Sequence, residues 1–262
     1  MKIQELKQKA LKIKKRFLAM YYNANAGHIG SSLSCLEIVT FVKLNWMKVH
    51  DKFILSKGHA AACLYSVLAE KGFLSEAEID SFYKNGSYLA AHPPVNKING
   101  IPFATGSLGH GLSLAAGFGL SNSIQGKSLM TFCVTSDGEL NEGSIWEAAM
   151  FIAHKKLNNV VWFIDRNRWQ GFGSTEDVIK LDPLYDKLKA FGFNVLEGNG
   201  HDFNFLDSVK NIIINSTYDK PYVVICNTIK GNGLKFFEDT LSCHYLPLTI
   251  EQYEMTNLLN EN

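Results

Sequence analysis

The chain has 262 residues, 46% of them hydrophobic, which is enough to bury a substantial core and lies within the range of one α/β layer structure. Twenty-six Lys and Arg against 25 Asp and Glu leave a formal charge of +1, so the balance carries neither the basic footprint of a nucleic-acid binder nor a polybasic membrane surface. No stretch reaches the roughly 18 apolar residues of a membrane span, and five cysteines (Cys35, Cys63, Cys133, Cys226, Cys243) without a CxxC pair read as reduced, mostly buried thiols. A cytoplasmic protein is expected, with no nucleic-acid and no membrane partner.

The opening MKIQELKQKALKIKKRF has a charged start with no apolar stretch after it, which argues against a targeting peptide. It predicts a solvent-facing helix to about Tyr22. Helical spacing of Leu36, Val39, Thr40, Lys43 and Leu44 predicts a second helix over 34–49, so two helices flank the loop NANAGHIGSS. FILS reads as a short strand, followed by Gly58 and His59 and an Ala-rich helix; Ser75 and Glu78 have capping-box spacing. AAHPPVNKINGIP is a loop holding half the prolines, and TGSLGHGLSLAAGFGL from Thr105 suits a helix that starts beside a ligand and packs closely on a neighbouring backbone.

The second half alternates: strand LMTFCVT, a helix over 141–154, strand VVWFI, a helix over 183–191, strand FNVLE, a helix over 203–214, and strand PYVVICNTI. Such alternation predicts an α/β fold, a parallel sheet flanked by helices on both faces. With no repeat or linker, 1–262 reads as a single domain. Ligands in such sheets sit beyond the carboxyl ends of the strands, which directs attention to SDGELNEG and DRNRWQG.

Asp137 and Asn167 end adjacent predicted strands, thirty positions apart. A hard Mg²⁺ takes about six oxygens and is usually held by one or two protein side chains together with phosphates. Asp137 offers a carboxylate, Asn167 an amide oxygen and the chain just past it a backbone carbonyl, while Gly138 lets the backbone approach a diphosphate. Turn formation alone also favours Asp, Asn and Gly at such places.

These motifs have a family resemblance. SDGELNEG…DRN is similar to the thiamine-diphosphate signature, and NAGHIGSSLS, DKFILSKGH, AHPP and ATGSLGHG each resemble segments of transketolases in matching order. The resemblance runs from about residue 20 to 245. It implies the diphosphate-binding domain of the thiamine-diphosphate fold, with thiamine diphosphate and Mg²⁺ (or Ca²⁺ or Mn²⁺ in its place) as cofactors. Asp137, Asn167 and the carbonyl of Trp169 are then the metal ligands, and His59, Gly106, Leu108, Gly138, Glu139, Asn167 and His244 contact the cofactor. His28, His92 and His244 are the expected acid–base groups, because ketol cleavage and its reverse move a proton off and onto a sugar oxygen near neutral pH, which imidazole does in both directions. Glu142, counted with the catalytic set, and Glu147 resemble carboxylates at the interface between two cofactor-binding halves; both also suit the first turns of a helix.

Ile29, Ser136, Arg166 and His110 depart from the family pattern, and none of them is a metal ligand. By the resemblance, transketolases continue with pyrimidine-binding and carboxyl-terminal domains, so this chain is expected to be half of a split enzyme acting on small sugars. The separate partner subunit carries the pyrimidine half, and an α2β2 assembly is expected. Two other readings are the α-subunit of a 2-oxo acid dehydrogenase decarboxylase, which shares the diphosphate motif but not the SKGH, AHPP and terminal His set, and a non-catalytic binding subunit, which loss of Asp137 or Asn167 would have favoured. A nicotinamide-binding Rossmann protein lacks its GxGxxG here.

Overall fold

The computed structural model describes residues 1–95, 97–217 and 219–258. Five parallel strands form the central sheet: β1 (Lys52–Leu55), β2 (Thr131–Ser136), β3 (Val160–Arg166), β6 (Asn194–Asn199) and β7 (Tyr222–Asn227), in the spatial order β1-β2-β3-β7-β6. Every residue of β2 and β3 is buried, as near-continuous apolar strands require when both faces are covered. On one face α1 (Ile3–Asn23), α3 (Leu36–Phe41), α4 (Ala61–Glu70) and α10 (Phe203–Ile214) pack Phe17, Val39, Tyr65 and Leu206 against Phe132, Val134, Val161 and Phe163. On the other, α6 (His110–Ile124), α7 (Gly143–His154) and α9 (Leu184–Phe191) bring Leu112, Ile145 and Leu188 onto Cys133, Trp162, Ile164 and Val223. The strand residues alternate between the two cores with the period of two that a pleated strand imposes. The expected fold class is the observed one.

Three expectations about helices are corrected. The first helix is not solvent-facing all round: Leu6, Ile13, Phe17 and Tyr21 are among seven buried residues along one stripe. The single helix expected over 34–49 is broken. The chain is already helical in α2 (Ile29–Ser34), turns at Cys35, resumes in α3 and finishes in a π-helical turn at Val42–Trp46. The break has a local cause at Cys35, whose thiol donates back to the Ser31 carbonyl at 3.2 Å and competes with the backbone ladder, while the Ser34 hydroxyl is engaged by Asp165 Oδ2 at 2.6 Å. The Gly-rich helix starts at His110, not Thr105, because Gly106 (φ 149°) and Gly109 (φ 89°) adopt conformations that an α-helix cannot contain.

The capping box at α5 (Glu76–Ile79) is present in both directions. Short elements that the periodicity did not reveal surround the strand ends: a hairpin of β4 (Trp169–Gln170) and β5 (Gly173–Ser174), then α8 (Thr175–Val178), α11 (Ser242–Tyr245) and α12 (Ile250–Leu258). All five described cysteines are buried and free, and no helix of the described residues is long and apolar enough to cross a membrane.

Candidate active site

The β2–β3 register pairs Ser136 with Asp165, so the chain leaves the sheet at two neighbouring points, and the Asp137 amide still donates to the Asp165 carbonyl at 3.1 Å. Asp137 is fully buried. Its Oδ1 accepts from the Gly138 amide at 2.8 Å, and its Oδ2 accepts from the Arg168 amide at 2.6 Å and the Thr175 hydroxyl at 3.2 Å. Among the described residues no Lys, Arg or His side chain lies within ion-pair distance of it. Burial, with Asp165 next to it, pushes its pKa up to about 6.

Asn167 is fixed by its neighbours. Its amide nitrogen lies 3.4 Å from both Asp165 Oδ2 and Ser34 Oγ, and its Oδ1 accepts from the Trp169 amide at 3.1 Å, with one lone pair left over. The Trp169 carbonyl receives only a long contact, 3.4 Å, from Lys230 Nζ. A carboxylate with no cationic partner, an oriented amide oxygen and an under-used carbonyl on one loop are a hard-cation donor set, and they fit a Mg²⁺ that a diphosphate would complete. The expected metal ligands are therefore brought together.

Behind them lies a network that the sequence reading missed. Asp165 is fully buried and ion-paired with the equally buried Lys57; it also accepts from Ser34 Oγ at 2.6 Å and from Thr228. Lys57 spends its other protons on the Ser31 carbonyl at 3.0 Å and Ser34 at 3.3 Å. Burial opposes both charges, but the pair outweighs it, raising the Lys57 pKa and lowering that of Asp165. A lysine set between Ser56 and Gly58 at a strand end, where apolar or small residues are the norm, was the available signal.

Three of the four expected histidines meet. His28 (φ 69°) precedes α2, His59 lies in the turn after β1 and His244 in α11, with ring centroids 5.1 Å (His28–His244), 5.7 Å (His28–His59) and 6.2 Å (His59–His244) apart. The His28 amide donates to the His244 carbonyl at 3.1 Å, tying two distant segments together. Lys230 Nζ sits 2.7 Å from His244 Nδ1, so the neutral ring accepts there and carries its proton on Nε2. Burial first, then nearby cations and imidazoles (Lys57 and Lys230 at His59 and His244, His92 and Lys230 at His28), favour the neutral rings: His244 falls to about 3, and His28 and His59 are lowered as well. Lys230 itself is pushed down to about 8 by burial. His92 stands apart at the rim, exposed, its ring against Gly106, where an added Cβ would come within 3.0 Å.

Gly106 and Leu108, both half-buried, form the turn before α6, and Gly58 lies under that turn: a Cβ there would meet the Thr105 carbonyl carbon at 2.7 Å. Gly138 opens a 3-10 turn after Asp137. Glu139 is placed differently from its expected role on the cofactor. Its buried carboxylate is occupied by Ser56, by the Gly109 amide at 2.8 Å and by the Ser136 amide at 3.3 Å, so it buttresses the Gly109 turn against the strand ends. Glu142, at the start of α7, is exposed beside Gly109, and Glu147 is exposed one turn further on. Of the four departures, Arg166 pairs with Asp182 at 2.5 Å and with Glu176, Ser136 caps the Glu139 amide, Ile29 is a core residue and His110 is exposed.

A profile described as "Transketolase, thiamine diphosphate binding domain" matches residues 7–258. The chain belongs to the transketolase family. It is 39% identical to an apulose-4-phosphate transketolase subunit of Phocaeicola vulgatus, over 97% of this chain and 93% of that one. It is 34% identical to the 6-deoxy-6-sulfo-D-fructose transketolase subunit of a Clostridium species, over 95% and 94%. The human transketolase is 35% identical over 94% of this chain, which spans only 40% of that longer protein. The transketolase structure from Campylobacter jejuni superposes with a TM-score of 0.92 at 26% identity, covering all of this chain and 43% of its own. This transketolase-family chain thus matches part of the single-chain transketolases and nearly the full length of relatives named as subunits.

Proposed function

We propose that this transketolase-family chain is the diphosphate-binding subunit of a heteromeric, cytoplasmic enzyme that transfers a two-carbon ketol unit from an anionic ketose to an aldose. The observation that carries the reading is the buried Asp137, with no ion-pair partner among the described residues, at adjacent strand ends with Asn167 and the Trp169 carbonyl, which Lys230 links to the cluster of His28, His59 and His244. Asp137, Asn167 and Trp169 would hold Mg²⁺, and with it the diphosphate. Thiamine diphosphate, when bound, supplies the electron sink for breaking the carbon–carbon bond beside the ketose carbonyl. Lys230 would place a positive charge near the diphosphate, Lys57 being spent on Asp165, and Gly58, Gly106 and Gly138 would let backbone approach it.

The histidines supply the proton traffic. A neutral imidazole takes the proton from the donor's hydroxyl as the carbon–carbon bond opens and returns it to the acceptor's oxygen. Because Lys230 occupies Nδ1 of His244, that ring presents Nε2–H as a donor, which leaves His28 to accept a proton, with His92 as a third imidazole toward the rim.

Completion requires a second subunit. The rim carries exposed apolar residues, Phe172 at the hairpin tip and Tyr245 and Leu246 beside it, with Tyr245 Oη donating to the Gly171 carbonyl at 2.5 Å. Phe103 and the carboxylates Glu142 and Glu147 extend that surface, which suits a partner bearing the pyrimidine half, in an α2β2 assembly. The test is to assay the chain with thiamine diphosphate, Mg²⁺, a ketose phosphate and an aldose phosphate before and after adding the candidate partner. Exchange is expected only in the mixture; turnover by the lone chain, or none in the mixture with any sugar pair, refutes the reading.

A further inference from the structure

At the opposite end of the sheet, where β1 begins rather than ends, a cavity of about 820 Å³ opens between the π-helical turn, the loop into β1, the end of α4 and the loop of residues 97–102. Its described lining holds five lysines, Lys43, Lys48, Lys52, Lys71 and Lys97, against one carboxylate, Asp51. In a chain with a net charge of only +1 this is a local concentration of positive charge. Asp51 offsets one of these charges at most, and its oxygens are held by the Lys48 amide at 2.8 Å and the Met130 amide at 2.9 Å and not by any of the five ammonium groups. Among the described residues none of the five lysines makes an ion pair.

Lys43 is the telling residue. It is 3% exposed, yet among the described residues its amine has a single hydrogen bond, a long one of 3.4 Å to the Gly100 carbonyl, and otherwise lies 5.3 Å over the Phe53 ring. Two of its three protons have no acceptor among the described residues. Lys71 sits next to it, its own amine on the Lys43 carbonyl at 3.0 Å and over Phe73, so the nearest charge is repulsive. Burial and Lys71 together push the Lys43 pKa down to about 7, the response of an ammonium that has lost water without gaining an anion. The helix widens into a π turn at this residue, a distortion that costs regular hydrogen bonding and recurs at ligand sites.

We propose that this cavity is a second anion site, separate from the proposed cofactor site, that takes a phosphate-bearing small molecule, with Lys43 as the buried contact to the phosphoryl oxygens and Lys52 and Lys71 as supporting charges. The volume is that of a small-metabolite pocket, and a phosphoryl group offers the acceptors and the negative charge that Lys43 and its neighbours lack.

The test is calorimetric titration of the full chain with inorganic phosphate and, separately, with glycerol phosphate, in saturating thiamine diphosphate and Mg²⁺ so that the proposed cofactor site is filled. Wild type and Asp137→Ala should each show one saturable phosphate site here, Lys43→Met should weaken it at least tenfold, and Lys52→Gln should weaken it less. Tighter binding of the ester than of free phosphate would show that the cavity also reads the organic part; equal affinity would show that the phosphoryl group alone is recognised. In thermal unfolding, phosphate should raise the Tm of wild type and not that of Lys43→Met, a readout that survives if one variant folds poorly and Lys71→Gln is used in its place. Unchanged affinity in Lys43→Met, or no saturable binding in wild type, overturns the proposal. Phosphate binding lost in Asp137→Ala but kept in Lys43→Met would place the anion at the cofactor site and overturn it too, without touching the ketol-transfer reading.

Discussion

Replacing Lys57 by Met removes the cation of a fully buried pair while keeping most of its volume, and leaves Asp165 in place with Ser34, Thr228 and Asn167 still bonded to it. Orphaning one partner of a buried ion pair costs about 3–5 kcal/mol. A bound comes from titration, since Asp165 can escape the penalty by taking a proton. At pH 7, neutralising a carboxyl with an unfolded pKa of about 3.9 costs about 4 kcal/mol at 1.36 kcal/mol per unit. The expected loss is therefore roughly 3–4 kcal/mol at pH 7. The sign with pH follows from the two states of Asp165. In wild type its depressed pKa gives stability that is present above the unfolded value and lost as pH falls through the folded one. In Lys57→Met its raised pKa makes a penalty that fades as pH falls toward the unfolded value. Only the second trend acts between pH 7 and 5.5, since the first sets in below the unfolded value, and it shrinks the difference to roughly 2 kcal/mol at pH 5.5. Urea unfolding of the cofactor-free chain at both pH values measures this, and Lys57→Met with Asp165→Asn should recover much of the loss. A loss below about 1 kcal/mol at pH 7, or an equal loss at both pH values, would refute the reasoning.

Asp137→Ala should abolish Mg²⁺-dependent binding of thiamine diphosphate, because it removes the one charged side chain among the proposed ligands; unchanged affinity in a cofactor titration would contradict the ligand assignment. His28→Ala and His244→Ala should lower turnover of the complete enzyme by roughly 10²- to 10⁴-fold with little change in cofactor affinity, and equal losses in both would make them structural or diphosphate contacts. Gly58→Ala should weaken the cofactor at least tenfold, since its Cβ would press on the backbone of Thr105 and Gly106, which cannot yield as a flexible side chain would. The imidazoles of His28, His59 and His244 should take up protons at lower pH than a free imidazole does, with His244 still neutral at pH 5, as read by nitrogen NMR of the rings. The unfolded chain takes up those protons below about pH 6.5 and the folded chain only at lower pH, so the stability they contribute is present above that pH and is lost as pH falls.

How much of this was legible beforehand depends on the range of the interaction concerned. The strand–helix alternation after Leu129, the capping box at Ser75 and the placing of Asp137 and Asn167 at strand ends are local patterns of period two or 3.6 and of turn chemistry, and they stand in the structure as the sequence implies. Boundaries failed where side chains intervened: Cys35 bonding back to Ser31 and Ser34 bonding to Asp165 interrupted one expected helix, and the positive φ of Gly106 and Gly109 delayed another to His110. No local pattern could pair Lys57 with Asp165, 108 positions on, or show that Glu139 holds a turn instead of a ligand. The sequence by itself determined the fold class and the family, and it singled out Asp137 and Asn167 as the candidate metal donors, because each is written in short contiguous segments. Only the tertiary structure decided the strand order, the meeting of His28, His59 and His244, and the enclosure of Lys43 among cations, because those depend on which distant segments the hydrophobic cores bring side by side.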